Sequence, residues 1–224
     1  MPFRKLSYYG NQFIGIFGRT NNKVTVVPVN ASERFYNISE HLKTKSVNTM
    51  INGSELIGLY MVMNDRCALL SPVVSEQEEF QIKKQLKEEG IEVSVLETKH
   101  SAIGNNILVN NTKAVINPRI AEDVAKEIGD LLDVEVMKMK IAGHTTVGSA
   151  ALATNKGFIA HPEIKEEEFS KLSEFLGLKG GIGTANKGVP YVPLSVISND
   201  NHSVFGEATT GFEIQRILGA LDQQ

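Results

Sequence analysis

One pattern of apolar and polar positions recurs along the chain: an apolar run, a pair of turn-forming residues, and a second apolar run that ends near a proline. The clearest copy is SAIGNNILVNNTKAVINP, residues 101–118, and two others are TTVGSAALATNKGFIAHP at 145–162 and ELIGLYMVMNDRCALLSP at 55–72. Asparagine and aspartate tolerate left-handed backbone angles and hydrogen-bond to their own main chain, so the central pairs predict hairpin turns. The pattern therefore predicts the same β-hairpin at least three times.

A small residue in the first run of each hairpin shows that the pattern occurs five times. Consecutive markers are 43, 46, 44 and 45 residues apart, and a turn pair lies six and seven residues after each of them. In chain order the markers are Gly15, Gly58, Gly104, Gly148 and, with a substitution, Pro193; the pairs are Asn21–Asn22, Asn64–Asp65, Asn110–Asn111, Thr154–Asn155 and Asn199–Asp200. A fixed period of this length indicates a repeat architecture with one supersecondary unit per repeat.

A helical pattern of apolar residues, and then a further strand, follow the hairpins. The second helix opens with a capping box, Ser75 and Glu78, in which each side chain satisfies the other residue's free backbone N–H. The third strand is clearest at 91–97 and 134–141. The apolar stripes of the five helices are Phe35, Ile38 and Leu42; Phe80, Ile82 and Leu86; Ile120, Val124, Ile128, Leu131 and Leu132; Phe169, Leu172 and Leu176; and Ile214, Ile217, Leu218 and Leu221. The predicted unit is strand, strand, helix, strand.

A second set of glycines predicts that the repeat closes on itself. These glycines lie five residues before a marker, at the exit from a third strand; they are Gly10, Gly53, Gly143 and Gly188, and Lys99 is the exception. Gly10 keeps this spacing although no unit precedes it, while the fifth unit ends directly after its helix. We therefore expect residues 3–9 to supply the third strand of the fifth unit.

The expected fold is α/β: one domain, residues 1–224, built as a closed five-fold pseudosymmetric propeller of small sheets around a central axis, each backed by a helix. One unit cannot bury its own apolar face, whereas five units in a circle share a core and hide most of their sheet edges. The expected repeats are 11–53, 54–99, 100–143, 144–188 and 189–224, with residues 3–9 closing the fifth.

Composition and charge limit the classes of function. Hydrophobic residues make up 42% and charged residues 22% of the chain, which suits a globular protein with a substantial core. The net charge of −3 argues against a broad basic surface for nucleic acid. Cys67 is the only cysteine, which excludes an intramolecular disulfide and a cysteine metal cluster. The N-terminus, MPFRKLSYYG, has no apolar signal segment, and no run reaches membrane-spanning length, so we expect a cytoplasmic protein.

A five-fold ring of strand-strand-helix-strand units is the pentein fold. Within it, HSAIGNNILVNNTKAVINP, VGSAALATNKGFIAHP, SERFYNI and GTANKG resemble the archaeal and eukaryotic translation initiation factor 6 family. The resemblance covers residues 1–222 in order, and the chain stops where the archaeal form stops. It implies a monomer without cofactor or DNA contact. It also implies binding to the intersubunit face of the large ribosomal subunit, on an L14-type ribosomal protein near the sarcin–ricin loop, which blocks small-subunit joining sterically.

The residues that follow the markers are the candidate binding site. In a closed ring the first strands line the axis, so Ile16, Leu59, Asn105, Ser149 and Leu194 are expected at one end of it. Exposed Leu and Ile there would form an apolar patch that marks a protein contact, and the alternative is that they fill the central channel. The resemblance implies ribosome contacts at Leu59, Asn105, Ala150 and Leu194. Eukaryotic members depart from this pattern, with Arg at the position of Leu59 and Tyr at that of Ala150.

An enzyme on the same fold is the main alternative. Pentein enzymes that act on guanidino groups use a Cys nucleophile with a His and carboxylates, and that chemistry needs a thiolate beside a base. Cys67 lies in DRCALL, in a predicted strand, where a small buried hydrophobe is the simpler interpretation. No Cys-His motif surrounds any of the five histidines. The sequence therefore favours a protein without catalytic activity.

Metal binding, phosphate binding and a role in subunit maturation are three further interpretations of the sequence. The histidines lack the short spacings of a metal site, and His161 is expected to form a local hydrogen bond. The stretch GLKGGIGTANKG, 177–188, lacks the Lys-Ser/Thr pair and following helix of a phosphate-binding loop, so it is expected to be a flexible connection that leads into a strand. A large-subunit maturation factor would share the same partner, and the sequence leaves this alternative open.

Overall fold

The computed structural model describes residues 3–223, and five three-stranded sheets make up its framework. The strands are β1 Phe3–Leu6, β2 Arg19–Thr20, β3 Val24–Pro28, β4 Lys45–Thr49, β5 Met61–Met63, β6 Cys67–Leu70, β7 Glu92–Val95, β8 Ile107–Val109, β9 Lys113–Ile116, β10 Glu135–Lys138, β11 Ala151–Ala153, β12 Phe158–Ala160, β13 Gly180–Ile182, β14 Val196–Ser198 and β15 Ser203–Gly206. In each sheet the second strand of a hairpin is central, with its hairpin partner antiparallel on one side and a third strand parallel on the other.

Two sets of helices accompany the sheets. The outer helices are α1 Glu33–Tyr36, α2 Ile38–Leu42, α4 Glu76–Lys87, α6 Glu122–Leu132, α8 Glu166–Leu176 and α10 Gly211–Ala220. The second set consists of single turns that contain the markers: a 3-10 turn at Ile14–Ile16, α3 Ile57–Tyr60, α5 Ile103–Asn106, α7 Val147–Ala150 and α9 Val192–Ser195. The prediction that the markers lie in first strands is therefore wrong, because each strand begins only after this turn.

The circle closes through the N-terminal strand. Residues Phe3 to Leu6 of β1 pair in parallel with Ser203 to Gly206 of β15, so the fifth sheet has the order β14-β15-β1. Gly10 has a φ of +83°, within a tight turn bridged by Tyr8 and Asn11. Equivalent turns follow β4, β10 and β13, where glycine supplies the left-handed backbone angle.

Within residues 3–223, the apolar core consists of five clusters, one at each seam between neighbouring units. At the first seam, for example, Val24 and Val47 of the first unit pack with Ile82 and Leu86 of helix α4 in the second. A unit therefore buries its apolar face only against its neighbours. This arrangement of five sheets and five seams around one axis is the pentein fold.

Local predictions differ from the structure at three places. The first helix divides at Asn37 into α1 and α2. Phe80, which the apolar stripe placed in the core, is 65% exposed on α4. The stretch 177–188 contains strand β13 instead of a flexible connection, and it leads into the turn α9 before the next strand. The capping box of Ser75 and Glu78 is present. None of the helices within residues 3–223 has the length and apolar character needed to cross a bilayer.

Candidate functional site

The marker turns meet at the axis through very close backbone contacts. A Cβ added to Gly58 would lie 1.9 Å from the carbonyl oxygen of Gly15, and one added to Gly104 would lie 2.0 Å from that of Gly58. A Cβ added to Gly148 would lie 2.2 Å from the carbonyl oxygen of Gly104, and one added to Gly15 would lie 2.0 Å from that of Pro193. No side chain fits at these distances, so the approach of the turns requires glycine. These contacts, together with the packing of α7 against α9, join the five turns into a ring, which we call the marker ring.

The marker ring brings the predicted binding residues to one end of the axis. Ile16, Leu59, Asn105 and Leu194 follow their markers directly and are half-buried. Their side chains are therefore not fully exposed. They are also not fully buried, as they would be if they filled the central channel. Leu59, Asn105 and Leu194 are half-buried positions that a protein partner can contact, whereas the side chain of Ile16 packs against the core cluster at the seam between the last and first units.

Asn105 is the polar residue at this rim. Its side-chain amide forms no hydrogen bond with any part of the described chain. The turn that carries it is held by its neighbour Asn106, whose Nδ2 donates to the carbonyl of Ala102 at 2.8 Å and whose Oδ1 accepts from Asn117 at 2.6 Å. A fixed backbone with an unused amide is an arrangement suited to recognition. The repeat spacing does not distinguish Asn106 from its neighbour Asn105.

Two of the predicted residues lie below the surface. Ala150 is 1% exposed and packs in the core cluster that contains Val147 and Leu172. Ser149 is 7% exposed, and its hydroxyl donates to the carbonyl of Thr146 at 2.9 Å. In this structure the side chain of Ala150 is therefore not available at the rim, because the turn α7 directs it into the third seam.

The channel beneath the marker ring contains a charged residue that the sequence did not indicate. The cavity has a volume of about 60 Å³, and Arg19 of β2 is part of its lining. Its guanidinium donates to the carbonyls of Met61, at 3.1 Å, and Gly58. Burial lowers the pKa of Arg19 to about 10, so the group is still protonated at neutral pH. Carbonyl dipoles of the neighbouring unit thus stabilise the positive charge inside the ring.

The hairpin turns form a second ring at the other end of the hairpins. The backbone N–H of each second turn residue donates to the side-chain oxygen of the next one around the circle. The bonds run from Asn22 to Asp65 at 2.8 Å, Asp65 to Asn111 at 2.9 Å, Asn111 to Asn155 at 2.8 Å, Asn155 to Asp200 at 2.8 Å and Asp200 to Asn22 at 3.1 Å. The first turn residues cap their own hairpins, as Asn21 does for the N–H of Val24. These side chains are therefore engaged in structure.

Cys67 and His161, the residues considered for catalysis and metal binding, are both buried. Burial, with a smaller contribution from Glu92, raises the pKa of the Cys67 thiol to about 11. His161 accepts a hydrogen bond from the backbone of Glu163, as predicted, and burial beside His144 lowers its pKa. Its ring also lies 5.2 Å from that of Tyr191, a contact across a seam that spacing does not reveal. Within residues 3–223 no three His, Cys, Asp or Glu side chains could together hold a metal ion.

Comparison with known proteins gives consistent matches along the chain. The eIF-6 family model matches residues 3–220. Translation initiation factor 6 of Pyrococcus abyssi is 39% identical over 99% of this chain and 99% of its own length. The proteins of the same name from Methanocaldococcus jannaschii and Saccharolobus islandicus are 38% and 37% identical, and the alignments cover 96% and 100% of this chain and 95% and 100% of theirs.

Among solved structures, a DDAH from Pseudomonas aeruginosa in complex with citrulline aligns with 94% of this chain and 73% of its own. The identity is 11% and the TM-score is 0.44. A similarity at this level adds no argument about the function of the chain.

Proposed function

The chain belongs to the eIF-6 family of translation initiation factors, and we propose that it acts by binding the intersubunit face of the large ribosomal subunit and excluding the small subunit. The observation that carries this proposal is the marker ring, where the amide of Asn105 is unused within residues 3–223 and Leu59 and Leu194 hold the equivalent half-buried positions in two other turns. Interface energy concentrates in a few central groups, and this rim offers apolar area with a polar group at a fixed position.

The proposed partner is an L14-type ribosomal protein, with the sarcin–ricin loop of the large-subunit RNA nearby. The net charge of −3 favours a basic protein as the main partner, since a broad RNA contact would require an excess of Lys and Arg. The factor binds as a monomer and one copy per subunit suffices, because exclusion of the small subunit is steric.

No reaction is part of this function. The single thiol, Cys67, is 2% exposed in strand β6, and its raised pKa leaves little thiolate at neutral pH. We propose that binding requires no nucleotide or other cofactor.

Co-sedimentation with purified ribosomal subunits tests the proposal. We expect saturable binding at one copy per large subunit, none to small subunits, and no effect of added nucleotide. Equal binding to both subunits, or none to either, would contradict it. Binding to the large subunit without inhibition of subunit joining would instead indicate the maturation role.

A further inference from the structure

The outer wall of the second unit carries a groove between helix α4 and strand β7. The groove has a volume of about 740 Å³ and is lined by Phe80, Lys83, Lys84 and Lys87 of the helix and by residues 90–94 beside the strand. Its described lining contains no residue of the marker ring. The groove is therefore a separate surface from the proposed ribosome-binding rim.

Strand β7 offers unpaired backbone groups at this groove. It is an edge strand in a sheet of order β5-β6-β7. The backbone N–H groups of Glu92 and Leu96 donate toward β6, to the carbonyls of Arg66 at 2.8 Å and Leu70 at 2.9 Å. Because alternate residues of a parallel strand point to opposite sides, the N–H and C=O groups of Val93 and Val95 point away from the sheet. No other segment within residues 3–223 bonds to them.

Two of the other edge strands, β4 and β1, are covered by side chains, whereas β7 is open. On β4, the backbone N–H of Asn48 donates to Oε1 of Gln85 at 3.4 Å, and the Gln85 amide donates back to the Asn48 carbonyl at 3.3 Å. On β1, Arg34 donates to the carbonyl of Lys5 at 3.5 Å. An uncovered edge pairs readily with an added strand, and proteins usually block such edges. The open edge of β7 is therefore a feature that a partner strand could use.

The side chains around this edge are apolar and basic. Phe80 is 65% exposed beside the strand. Lys83 pairs with Glu79 at 2.5 Å, whereas Lys84 and Lys87 form no ion pair in the described chain. Of the described lining residues, Glu92 is the one carboxylate. The groove between α6 and β10 differs, since its lining includes five carboxylates, Glu122, Asp123, Asp130, Asp133 and Glu135. The groove beside β10, whose lining holds these five carboxylates with Arg66, Lys126 and Lys138, therefore does not share the positive excess of the groove beside β7.

We propose that this groove binds an extended acidic segment of a partner protein, which adds as a fourth strand beside β7. Main-chain hydrogen bonds to Val93 and Val95 supply affinity, and alternate side chains supply specificity. Carboxylates of the segment reach Lys84 and Lys87, while an apolar side chain packs on Phe80. About four residues of the segment, roughly 13 Å, span β7.

Fluorescence anisotropy with a labelled peptide tests the proposal. The probe is a synthetic peptide of alternating Glu and Val with one central Phe. We expect saturable binding to the full-length protein. Binding should weaken at least tenfold when alternate peptide amides are N-methylated, because these can no longer donate to the edge. It should also weaken at least tenfold when Lys replaces each Glu. An N-methylated peptide that binds as well as the parent, or a parent that does not bind, would overturn the proposal.

Variants of the protein provide the complementary test. The double variant Lys84→Glu/Lys87→Glu should lose at least tenfold in peptide affinity, whereas Lys171→Glu on α8 should bind normally. Val93→Pro removes one outward N–H at an edge position where proline is tolerated, and it should also weaken binding. Tighter binding of a labelled oligouridine than of the peptide would show an RNA site and overturn the proposal. Asn105→Asp should leave peptide binding unchanged, so the outcome is independent of ribosome binding.

Discussion

Each marker glycine in the first four units lies against a carbonyl oxygen of the neighbouring marker, and Asn105 follows the third of them with an amide unused within residues 3–223. The sequence identified these positions by spacing, and it could not show why glycine is needed, because the contact joins residues more than forty positions apart. The position of Arg19 is unpredictable from the sequence for a related reason. A charged residue in a predicted strand is normally expected to face solvent, whereas Arg19 lines an internal cavity. Ala150 came from the resemblance alone, and the structure places it in the core.

Gly58→Ala tests the close packing of the marker ring. The added methyl group would lie 1.9 Å from the carbonyl oxygen of Gly15, so the backbone of two units must separate. We expect the free energy of unfolding to fall by about 2 kcal/mol or more, as for an overpacked core. The control is Gly211→Ala, where a Cβ meets nothing within 4 Å in the first turn of α10. Equal urea denaturation midpoints for the two variants would contradict this packing.

Asn105→Asp tests the polar group at the rim. The change keeps the size of the side chain, removes the amide donor and places a negative charge in the proposed interface. We expect a loss of about 2 kcal/mol, roughly thirtyfold in affinity for the large subunit. Leu59→Ala should lose about 1–2 kcal/mol through apolar area alone. Lys171→Glu, on the exposed face of α8, is the control. Comparable losses from Lys171→Glu and Asn105→Asp in folded proteins would place the interface elsewhere.

Among the secondary-structure elements, the outer helices were predictable and the marker turns were not. The apolar stripes located α4, α6, α8 and α10, because three turns of helix give a readable period. A single turn such as Ile103–Asn106 has no period to detect. Strand β13 was missed because its two glycines are typical of a loop. The ring of Phe158 packs where a side chain of Gly180 would lie, 2.2 Å from an added Cβ, so glycine is required in that strand.

The N-terminus of α10 also connects two units. Glu213 completes a capping box with Thr210 and accepts hydrogen bonds from the backbone of Lys187 and Gly188 in the preceding exit turn. Burial alone would raise the pKa of Glu213, but hydrogen bonds from Thr210, Gly188 and Thr184 outweigh it and lower the pKa to about 2. The carboxylate thus holds the helix and the exit turn together.

Glu213→Gln tests this connection through its pH dependence. The folded pKa lies below the unfolded value of about 4.3, so the stabilisation is complete above that pH and is lost as pH falls toward 2. We expect the variant to be less stable than the wild type by about 2–3 kcal/mol at pH 7, and the difference to shrink between pH 4.3 and about 2. Urea unfolding at several pH values measures this. A difference that does not change with pH would contradict the role of the charge, and Glu166→Gln in the first turn of α8 is the control.

For the whole molecule, β1 closes the ring, and we expect this closure to stabilise the fold and to define the shape of the proposed binding face. The five seams are equivalent in kind, and β1 completes the seam between the last and first units, where Leu6 and Tyr8 pack with Val204 and Phe35. The spacing of Gly10 predicted this strand because the repeat period continues past the first unit. The sequence does not show which residues of the marker ring are accessible. Leu59 is half-buried and Ala150 is buried because the marker turns direct their side chains differently, and only the structure shows these directions.

Deletion of residues 1–9 tests closure. The truncated chain loses the strand beside β15 and the side chains of Leu6 and Tyr8 from a core seam. We expect a loss of several kcal/mol, about 1.5–3 for each large buried side chain together with the exposed edge. Calorimetry should show a lower and less cooperative transition. An unchanged melting temperature and unfolding enthalpy would show that the ring does not depend on this strand.

Subunit joining, followed by light scattering on purified subunits, tests the central proposal most directly. Increasing amounts of the wild-type protein should reduce the joined fraction to near zero at about one copy per large subunit, without nucleotide. Asn105→Asp should require roughly thirtyfold more protein for the same effect. Joining that proceeds unchanged with the wild-type protein bound in large excess would contradict the proposed function.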